Sequence, residues 1–529
     1  MNKPIDRRQF LGAAVLASLA GTSASGRVLA RSSTGVDLEE ATVASLQQAM
    51  ATGATTSKAI VQGYLARIKA IDPKLNSIVE INPDALAIAS ERDRERRVGT
   101  LRGALHGIPV LLKDNIDTAD KMKTTAGSLA LVDTPTPLRD AFIVAQLRAA
   151  GAVILGKTNL SEWANYRSDS SSSGWSARGG QARNPYVLDR SPCGSSSGSA
   201  AATSANLTAV SIGTETNGSI ICPSANTGLV GLKPTLGLVS RSGIIPIAAS
   251  QDTAGPMTRT VADAAVVLGA LVGFDAEDGI TAQASRGLRD YTPHLKADGL
   301  QGKRIGVARN YFGNVPRVDA VMEEQLKVCR AQGAELIDVR LDMTGAGEAS
   351  GKVLSFEFKD GLNRYLARRG GAVKSLDELI AFNVANADRE MRYFKQELFL
   401  AAQNRASLES REYRLALLQA KTLSQEAIDT LMDKHRLDAI VGPSNGAAWP
   451  IDLVNGDGGS RNSYVATSSP AAIAGYPNIT VPSGFLTALP LGISFWGRAF
   501  SEPVLIEIAY GYEQATRARR PPRLLPTVT

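Results

Sequence analysis

The stretch "GTETNGSI", residues 213–220, places Ser219 directly after a glycine in a segment with little charge. A serine in this setting serves either as a turn residue or as a nucleophile. A nucleophilic hydroxyl needs a base that accepts its proton. Histidine is the usual base, and the chain contains three histidines: His106, His294 and His435.

Lys113 offers a base of a different kind. It follows the short apolar run from Ile108 to Leu112, which predicts a buried strand. Its ammonium group either extends into water at the strand end or is partly desolvated. Desolvation disfavours the charged form and lowers the pKa of a lysine, so that the amine can act as a general base without any histidine.

The segment "CGSSSGS", residues 193–199, adds a cluster of hydroxyl groups between glycines. Each of these three segments is a weak signal alone, because loops of serine and glycine are common. Together, Lys113, the 194–198 loop and Ser219 supply a base, a relay hydroxyl and a nucleophile. The glycines also permit backbone N–H groups to point towards an oxyanion.

Two other motifs are weaker. The segment "GAVILGKT", Gly151 to Thr158, matches a phosphate-binding pattern, but its intervening residues are strand-forming, so an NTPase is rejected. The three cysteines, Cys193, Cys222 and Cys329, form no C-x-x-C pair, which argues against a disulfide framework or a zinc site. Cys193 and Cys222 are expected to be small core residues. A thiol hydrolase that uses one of them with His106 is an alternative.

The N-terminus is typical of a targeting signal. "DRRQFLGAAVLASLAG" combines Arg7-Arg8 with an apolar run that is too short to span a bilayer. Residues 1–30 are therefore predicted to be a twin-arginine-type signal peptide, cleaved after Ala24 or Ala30, and the protein is expected to be periplasmic or secreted. A disordered basic leader or a retained anchor helix is the alternative. No other run of about 18 apolar residues occurs, and we expect no further membrane association.

Helical and strand-like segments alternate along the rest of the chain, which indicates an α/β fold. "TSKAIVQGYLARIKAID" predicts a helix, since Ile60, Tyr64, Ile68 and Ile71 recur at helical spacing behind a Thr/Ser cap. The range from about 316 to 436 is mostly helical in pattern. The net charge of +7 is not gathered into a basic stripe, so nucleic acid is not expected as a partner.

Longer segments resemble the amidase signature family, and within it the bacterial peptide amidases. These segments include "GIPVLLKDNI", "GAVILGKTNLSEWAN", "RNPYVLDRSPCGSSSGSAAA", "IGTETNGSIICPSANTGLVGLKPT" and "SQDTAGPMTRTVADAA". The resemblance runs in order from about residue 36 to 522. It implies one catalytic domain over 36–522, with a helix-rich insertion at about 316–436. The implied fold is a large twisted mixed β-sheet covered by helices on both faces.

The resemblance also implies a role for each site residue. Lys113 matches the catalytic lysine of the family, Ser195 the relay serine that follows a cis Gly194–Ser195 peptide bond, and Ser219 the acyl-forming nucleophile. The oxyanion is expected against the backbone N–H groups of Thr216, Asn217, Gly218 and Ser219. No metal and no cofactor is expected, and the protein is expected to be a monomer.

The function that the resemblance implies is hydrolysis of carboxamides, above all C-terminal peptide amides, to carboxylate and ammonia. A broad-specificity aliphatic or aryl-acyl amidase with the same three residues is the alternative. A non-catalytic exported binding protein on this fold is a further one. The chain departs from the commonest family pattern at Glu215, Asn217 and Ile221.

Overall fold

The computed structural model describes residues 35–458 and 467–528 of the chain. The predicted leader, residues 1–30, lies outside the described residues. Within these ranges, eleven strands hydrogen-bond into one sheet in the order β1-β3-β2-β6-β8-β7-β12-β13-β11-β9-β10. The strands of this sheet are β1 (Ile78–Ile81), β2 (Pro109–Lys113), β3 (Val153–Thr158), β6 (Val210–Glu215), β7 (Val230–Lys233), β8 (Thr253–Thr258), β9 (Arg304–Ala308), β10 (Glu335–Val339), β11 (Ala439–Pro443), β12 (Asn478–Leu486) and β13 (Leu489–Trp496). A separate hairpin pairs β4 (Trp175–Ser176) with β5 (Gly180–Gln181).

Helices follow or separate most of these strands. They are α1 (Val43–Ala51), α2 (Ser57–Ile71), α3 (Ala85–Arg97), α4 (Phe142–Ala149), α5 (Ser197–Ser204), α6 (Ile221–Asn226), α7 (Val261–Leu271), α8 (Pro316–Ala331), α9 (Ala346–Arg369), α10 (Leu376–Ala385), α11 (Ala387–Glu390), α12 (Glu397–Gln403), α13 (Arg411–His435), α14 (Ser469–Ala474) and α15 (Glu502–Thr516). The predicted α/β fold, one large mixed sheet covered by helices on both faces, is confirmed. Among the described residues, no helix combines the length and apolar character that a membrane span requires.

Helix α2 illustrates how the sequence pattern becomes packing. The Thr56 side chain accepts a hydrogen bond from the Ala59 amide and so caps the first turn. The predicted apolar face is buried over its whole length, at Ile60, Tyr64, Ile68 and Ile71. The helix is therefore held by the burial of one face, as its spacing predicts.

Three parallel strands, β3, β2 and β6, position residues of the site at one edge of the sheet. Strand β2 pairs in parallel with both β3 and β6. Every residue of the three strands is buried, including the polar residues of β6 and those that end β2 and β3. Their carboxyl ends lie at the same edge of the sheet, the place where open α/β sheets bind ligands. Lys113 ends β2 and Glu215 ends β6 at this edge.

Strand β3 also accounts for the segment "GAVILGKT". Its residues Val153 to Thr158 form ladder bonds with β1 and β2 instead of a phosphate-binding loop. The Lys157 ammonium is buried and donates to the Ile116 carbonyl, 2.5 Å away, and to Thr124 Oγ1, 2.8 Å away. This lysine therefore supports the fold and does not face a ligand.

Candidate active site

Lys113 lies at the centre of the site, with a side chain that is 0% exposed. Its Nζ donates to Ser195 Oγ at 2.7 Å. It also donates to Thr214 Oγ1 at 2.9 Å and to the Thr214 carbonyl at 3.2 Å. The alternative of a lysine that extends into water is therefore wrong, because the end of β2 is covered by the loop that carries Ser195.

The surroundings of Lys113 favour its neutral form near neutral pH. Burial lowers its pKa from 10.5 to about 7, and this effect exceeds the opposing influence of Asp252 and Glu215, which raise it. A large share of the amine is then unprotonated at pH 7. The side chain can accept a proton from a hydroxyl group that touches it.

Ser195 precedes helix α5, and the Gly194–Ser195 peptide bond is cis, as the resemblance implies. The Ser195 carbonyl accepts a hydrogen bond from the Ser161 amide at 3.0 Å, which fixes the backbone. A side chain at Gly194 would collide with Ser161 Oγ, so this position has room only for glycine. The hydroxyl of Ser195 thus has a defined place beside Lys113.

Ser219 lies between β6 and α6 and lines a cavity of about 340 Å³. Its carbonyl accepts the Ser196 amide at 3.2 Å, so the loop of Ser195 and the turn of Ser219 are in direct contact. Over residues 35–458 and 467–528, no hydrogen bond joins the Ser219 hydroxyl to that of Ser195. The structure thus brings Lys113 and Ser195 together and places Ser219 on the adjoining turn.

The turn before helix α6 presents free amide groups. Within the described part of the chain, the N–H groups of Thr216, Asn217, Gly218 and Ser219 donate no hydrogen bond. Gly218 has a φ of 82°, a conformation that favours glycine. Unpaired buried amides are rare in folded proteins, and a group of them is available to bind an anion.

The three departures from the common family pattern have structural roles here. Glu215 Oε2 accepts the amides of Ile220 at 2.7 Å and Ile221 at 3.0 Å, and so caps α6. The Ile221 side chain is fully buried. Asn217 Oδ1 accepts from the hydroxyls of Ser468 at 3.3 Å and Ser469 at 3.2 Å. The Asn217 side chain is therefore turned towards α14.

The expectation for the cysteines was wrong. Cys193 and Cys222 form a disulfide, with 6.0 Å between their Cα atoms. Cys193 lies two residues before Ser195 and Cys222 three residues after Ser219, so folding of the site brings them together. A spacing of 29 residues carries no pairing signal in the sequence.

The thiol hydrolase alternative also fails, because neither Cys193 nor Cys222 has a free thiol. His106 Nε2 lies 2.9 Å from the Arg92 carbonyl instead.

The sequence patterns did not single out two residues of the site, Thr214 and Asp252. Thr214 contacts Lys113 through its hydroxyl, which also accepts from Asn115 Nδ2 at 3.0 Å. Asp252 accepts from Thr216 Oγ1 at 2.5 Å. Thr214 lies in the segment "GTETNGS" and Asp252 in "SQDTAGP", so both segments stood out, but the sequence does not say which of their polar side chains point inwards.

A second and larger cavity adjoins that of Ser219. It has a volume of about 740 Å³, and Ser195, Thr214 and Asp252 are among its lining residues. Ala164, Thr216 and Ile247 line both cavities, which therefore meet beside the turn that carries the free amides. In the ranges that the structure describes, no group of three or more His, Cys, Asp or Glu side chains is arranged to hold a metal ion.

Comparison with known proteins identifies the family. A family model described as Amidase matches residues 59–506. The chain belongs to the amidase family. It is therefore an enzyme that hydrolyses amides, as the sequence resemblance implies.

Individual members of the amidase family are similar over nearly the whole chain. The crystal structure of the native peptide amidase from Stenotrophomonas maltophilia is 52% identical, with a TM-score of 0.86 over 91% of this chain and 98% of that one. A probable amidase of Arabidopsis thaliana is 42% identical over 508 residues, or 94% of each protein. The crystal structure of an amidase family protein from Bacillus anthracis is 37% identical, with a TM-score of 0.83 over 92% of this chain and 93% of that one.

Proposed function

We propose that this amidase hydrolyses the C-terminal carboxamide of peptides through an acyl-serine intermediate on Ser219. The hydrogen bond of 2.7 Å between Lys113 Nζ and Ser195 Oγ carries the proposal. It supports a chain of proton transfer that starts at a buried amine with a pKa of about 7. The role of Ser219 follows from its place beside that pair and from the free amides of its turn.

The first half of the reaction forms the acyl-enzyme. Neutral Lys113 accepts the proton of Ser195 Oγ, and Ser195 accepts that of Ser219 Oγ as this oxygen attacks the amide carbon. The negative charge that develops on the carbonyl oxygen is held by the amides of residues 216–219, and one such donor is typically worth about 3–4 kcal/mol of barrier. The relay then returns a proton to the nitrogen, the C–N bond breaks, and ammonia leaves.

The second half of the reaction releases the acid. Water attacks the ester carbon of acyl-Ser219 while the same relay accepts its proton. The second tetrahedral intermediate collapses, the ester C–O bond breaks, and Ser219 regains its proton. The products are a free carboxylate and the resting enzyme.

The substrate class rests on two observations. The peptide amidase from Stenotrophomonas maltophilia shares 52% of its residues with this chain. We call residues 216–219 the oxyanion turn. The adjoining cavities of about 340 and 740 Å³ provide room beside this turn for the side chains of a peptide substrate. An amidase of broad aliphatic or aryl-acyl specificity would use the same residues, and a substrate panel separates the two.

The test measures ammonia release from peptide amides, aliphatic amides and aryl amides. We expect peptide amides to give the highest kcat/KM and Ser219→Ala to lose essentially all turnover. Ser224→Ala is a matched control, since Ser224 is a buried serine of α6 whose hydroxyl has no partner among the described residues. Ser224→Ala should keep wild-type turnover. Substantial activity in a folded Ser219→Ala protein would contradict the assignment of Ser219 as the nucleophile.

We also propose that the protein is exported under the direction of residues 1–30 and works as a monomer. The Cys193–Cys222 disulfide supports export, because disulfides persist mainly in oxidising compartments.

A further inference from the structure

The turn that carries the free amides is anchored through Thr216. Thr216 Oγ1 donates to Asp252 Oδ1 at 2.5 Å. The Thr216 carbonyl accepts from Gln251 Nε2 at 3.1 Å. Two adjacent residues outside the turn therefore hold its first residue at both the side chain and the backbone.

The second oxygen of Asp252 binds a different segment of the chain, outside this turn. Asp252 Oδ2 accepts the amide of Ile247 at 2.8 Å and that of Ala248 at 2.9 Å. Thr216 and Ile247 are among the residues that line both cavities. One buried carboxylate is thus hydrogen-bonded to two residues that line both cavities.

Asp252 also contributes charge to the site. The acidic groups that act on Lys113 are Asp252, the larger influence, and Glu215, and both raise its pKa against the effect of burial. Burial raises the pKa of Asp252 to about 6, whereas its three hydrogen bonds and the nearby Arg241 lower it. An ionised Asp252 therefore favours the protonated form of Lys113, against the effect of burial.

We propose that Asp252 is a positioning residue for amide hydrolysis, which anchors the oxyanion turn through Thr216 and whose charge acts on Lys113. This inference rests on the proposed function of the same site. Oxyanion stabilisation depends on donors that are fixed before the reaction begins. A residue that fixes them acts on kcat more than on KM.

Two substitutions separate the charge of Asp252 from its anchoring contact. Asp252→Asn keeps the shape and can donate to Thr216 Oγ1 while it accepts the amides of Ile247 and Ala248, but it removes the charge. The rate of the wild-type enzyme should fall below a midpoint near pH 7, as Lys113 gains its proton. In Asp252→Asn the pKa of Lys113 loses a raising influence, so this midpoint should move to lower pH.

Thr216→Val removes the hydrogen bond to Asp252 and keeps the charge. We expect kcat to fall by roughly 10- to 100-fold with little change in KM, since the amides of the turn are less well fixed. The matched control is Asp263→Asn in α7. Asp263 is also buried and accepts the Val43 amide at 2.9 Å, but it lines neither cavity. This control should lower the melting temperature and leave both kcat and the pH midpoint unchanged.

The outcomes are distinct. An unchanged midpoint in folded Asp252→Asn, or wild-type kcat in Thr216→Val, would overturn the inference. If Asp252→Asn does not fold, the kcat of Thr216→Val alone decides whether the inference holds. Failure of the proposed function is recognised separately, because Ser219→Ala would then retain turnover. The kcat and the pH profile of Asp252→Asn and Thr216→Val do not enter that test.

Discussion

A lysine at position 113 destabilises the fold because its amine is fully buried at the end of a strand. The folded protein binds the Lys113 proton only below about pH 7, whereas the unfolded chain retains it up to about pH 10.5. Between these values the unfolded state binds more protons, so this residue's contribution makes the free energy of unfolding rise with pH. The property that suits Lys113 to be a base is the one that opposes folding near neutral pH.

Lys113→Met tests this trade-off, because methionine retains an apolar stem and lacks the amine. We expect an inactive protein whose stability relative to wild type is greatest below pH 7 and declines as the pH rises towards 10. The measurement is the melting temperature of both proteins between pH 6 and 10. Lys74→Met, at an exposed lysine, is the control and should show no such trend. A difference between Lys113→Met and wild type that is constant with pH would contradict the argument.

At the scale of elements, the disulfide joins the loop of Ser195 to helix α6, which follows Ser219. Cross-linking two segments 29 residues apart restricts the unfolded chain and favours the fold. The same link keeps the loop of Ser195 and the turn of Ser219 adjacent.

Removal of the disulfide should lower the free energy of unfolding by about 3 kcal/mol. The experiment compares urea unfolding of the wild type and the Cys193→Ala/Cys222→Ala protein, each with and without a phosphine reductant. The reductant should destabilise the wild type and leave the double variant unchanged. Titration of the unreduced, unfolded wild type should find one thiol, that of Cys329. Three thiols, or a wild type that is insensitive to the reductant, would show that the bond does not form.

The elements also show how far the sequence could be interpreted. Helical spacing predicted α2 and a short apolar run predicted β2, because each pattern is local in the sequence. Lys113, Ser195 and Ser219 were predicted from their segments and from the family resemblance. Strand β10 lies within a range predicted to be mostly helical, since its place depends on parallel pairing with β9. The disulfide and the contacts of Thr214 and Asp252 likewise depend on segments that only the fold brings together. The limits of the domain and of its helix-rich insertion stay predictions.

At the scale of the whole molecule, the export proposed for residues 1–30 can be tested directly. We expect mature protein in the periplasmic fraction of a bacterial host, shortened after Ala24 or Ala30 as measured by mass spectrometry. Replacement of both Arg7 and Arg8 by lysine should keep the protein in the cytoplasm, because twin-arginine signals are read by a receptor. Arg27→Lys, a change in the same segment outside the pair, should be exported normally. Full-length wild type confined to the cytoplasm would refute export.

Helix α9 lines both cavities of the site and also contacts Gln251. Leu354 lines the cavity of Ser219, and Gly361 and Tyr365 line the larger one. Near the start of the helix, Ser350 Oγ donates to Gln251 Oε1 at 2.6 Å, and Gln251 in turn holds Thr216. A substrate group that contacts this helix is thus linked, through Ser350 and Gln251, to the turn that we propose holds the oxyanion. Selectivity for distant parts of a substrate should accordingly appear in turnover as well as in affinity.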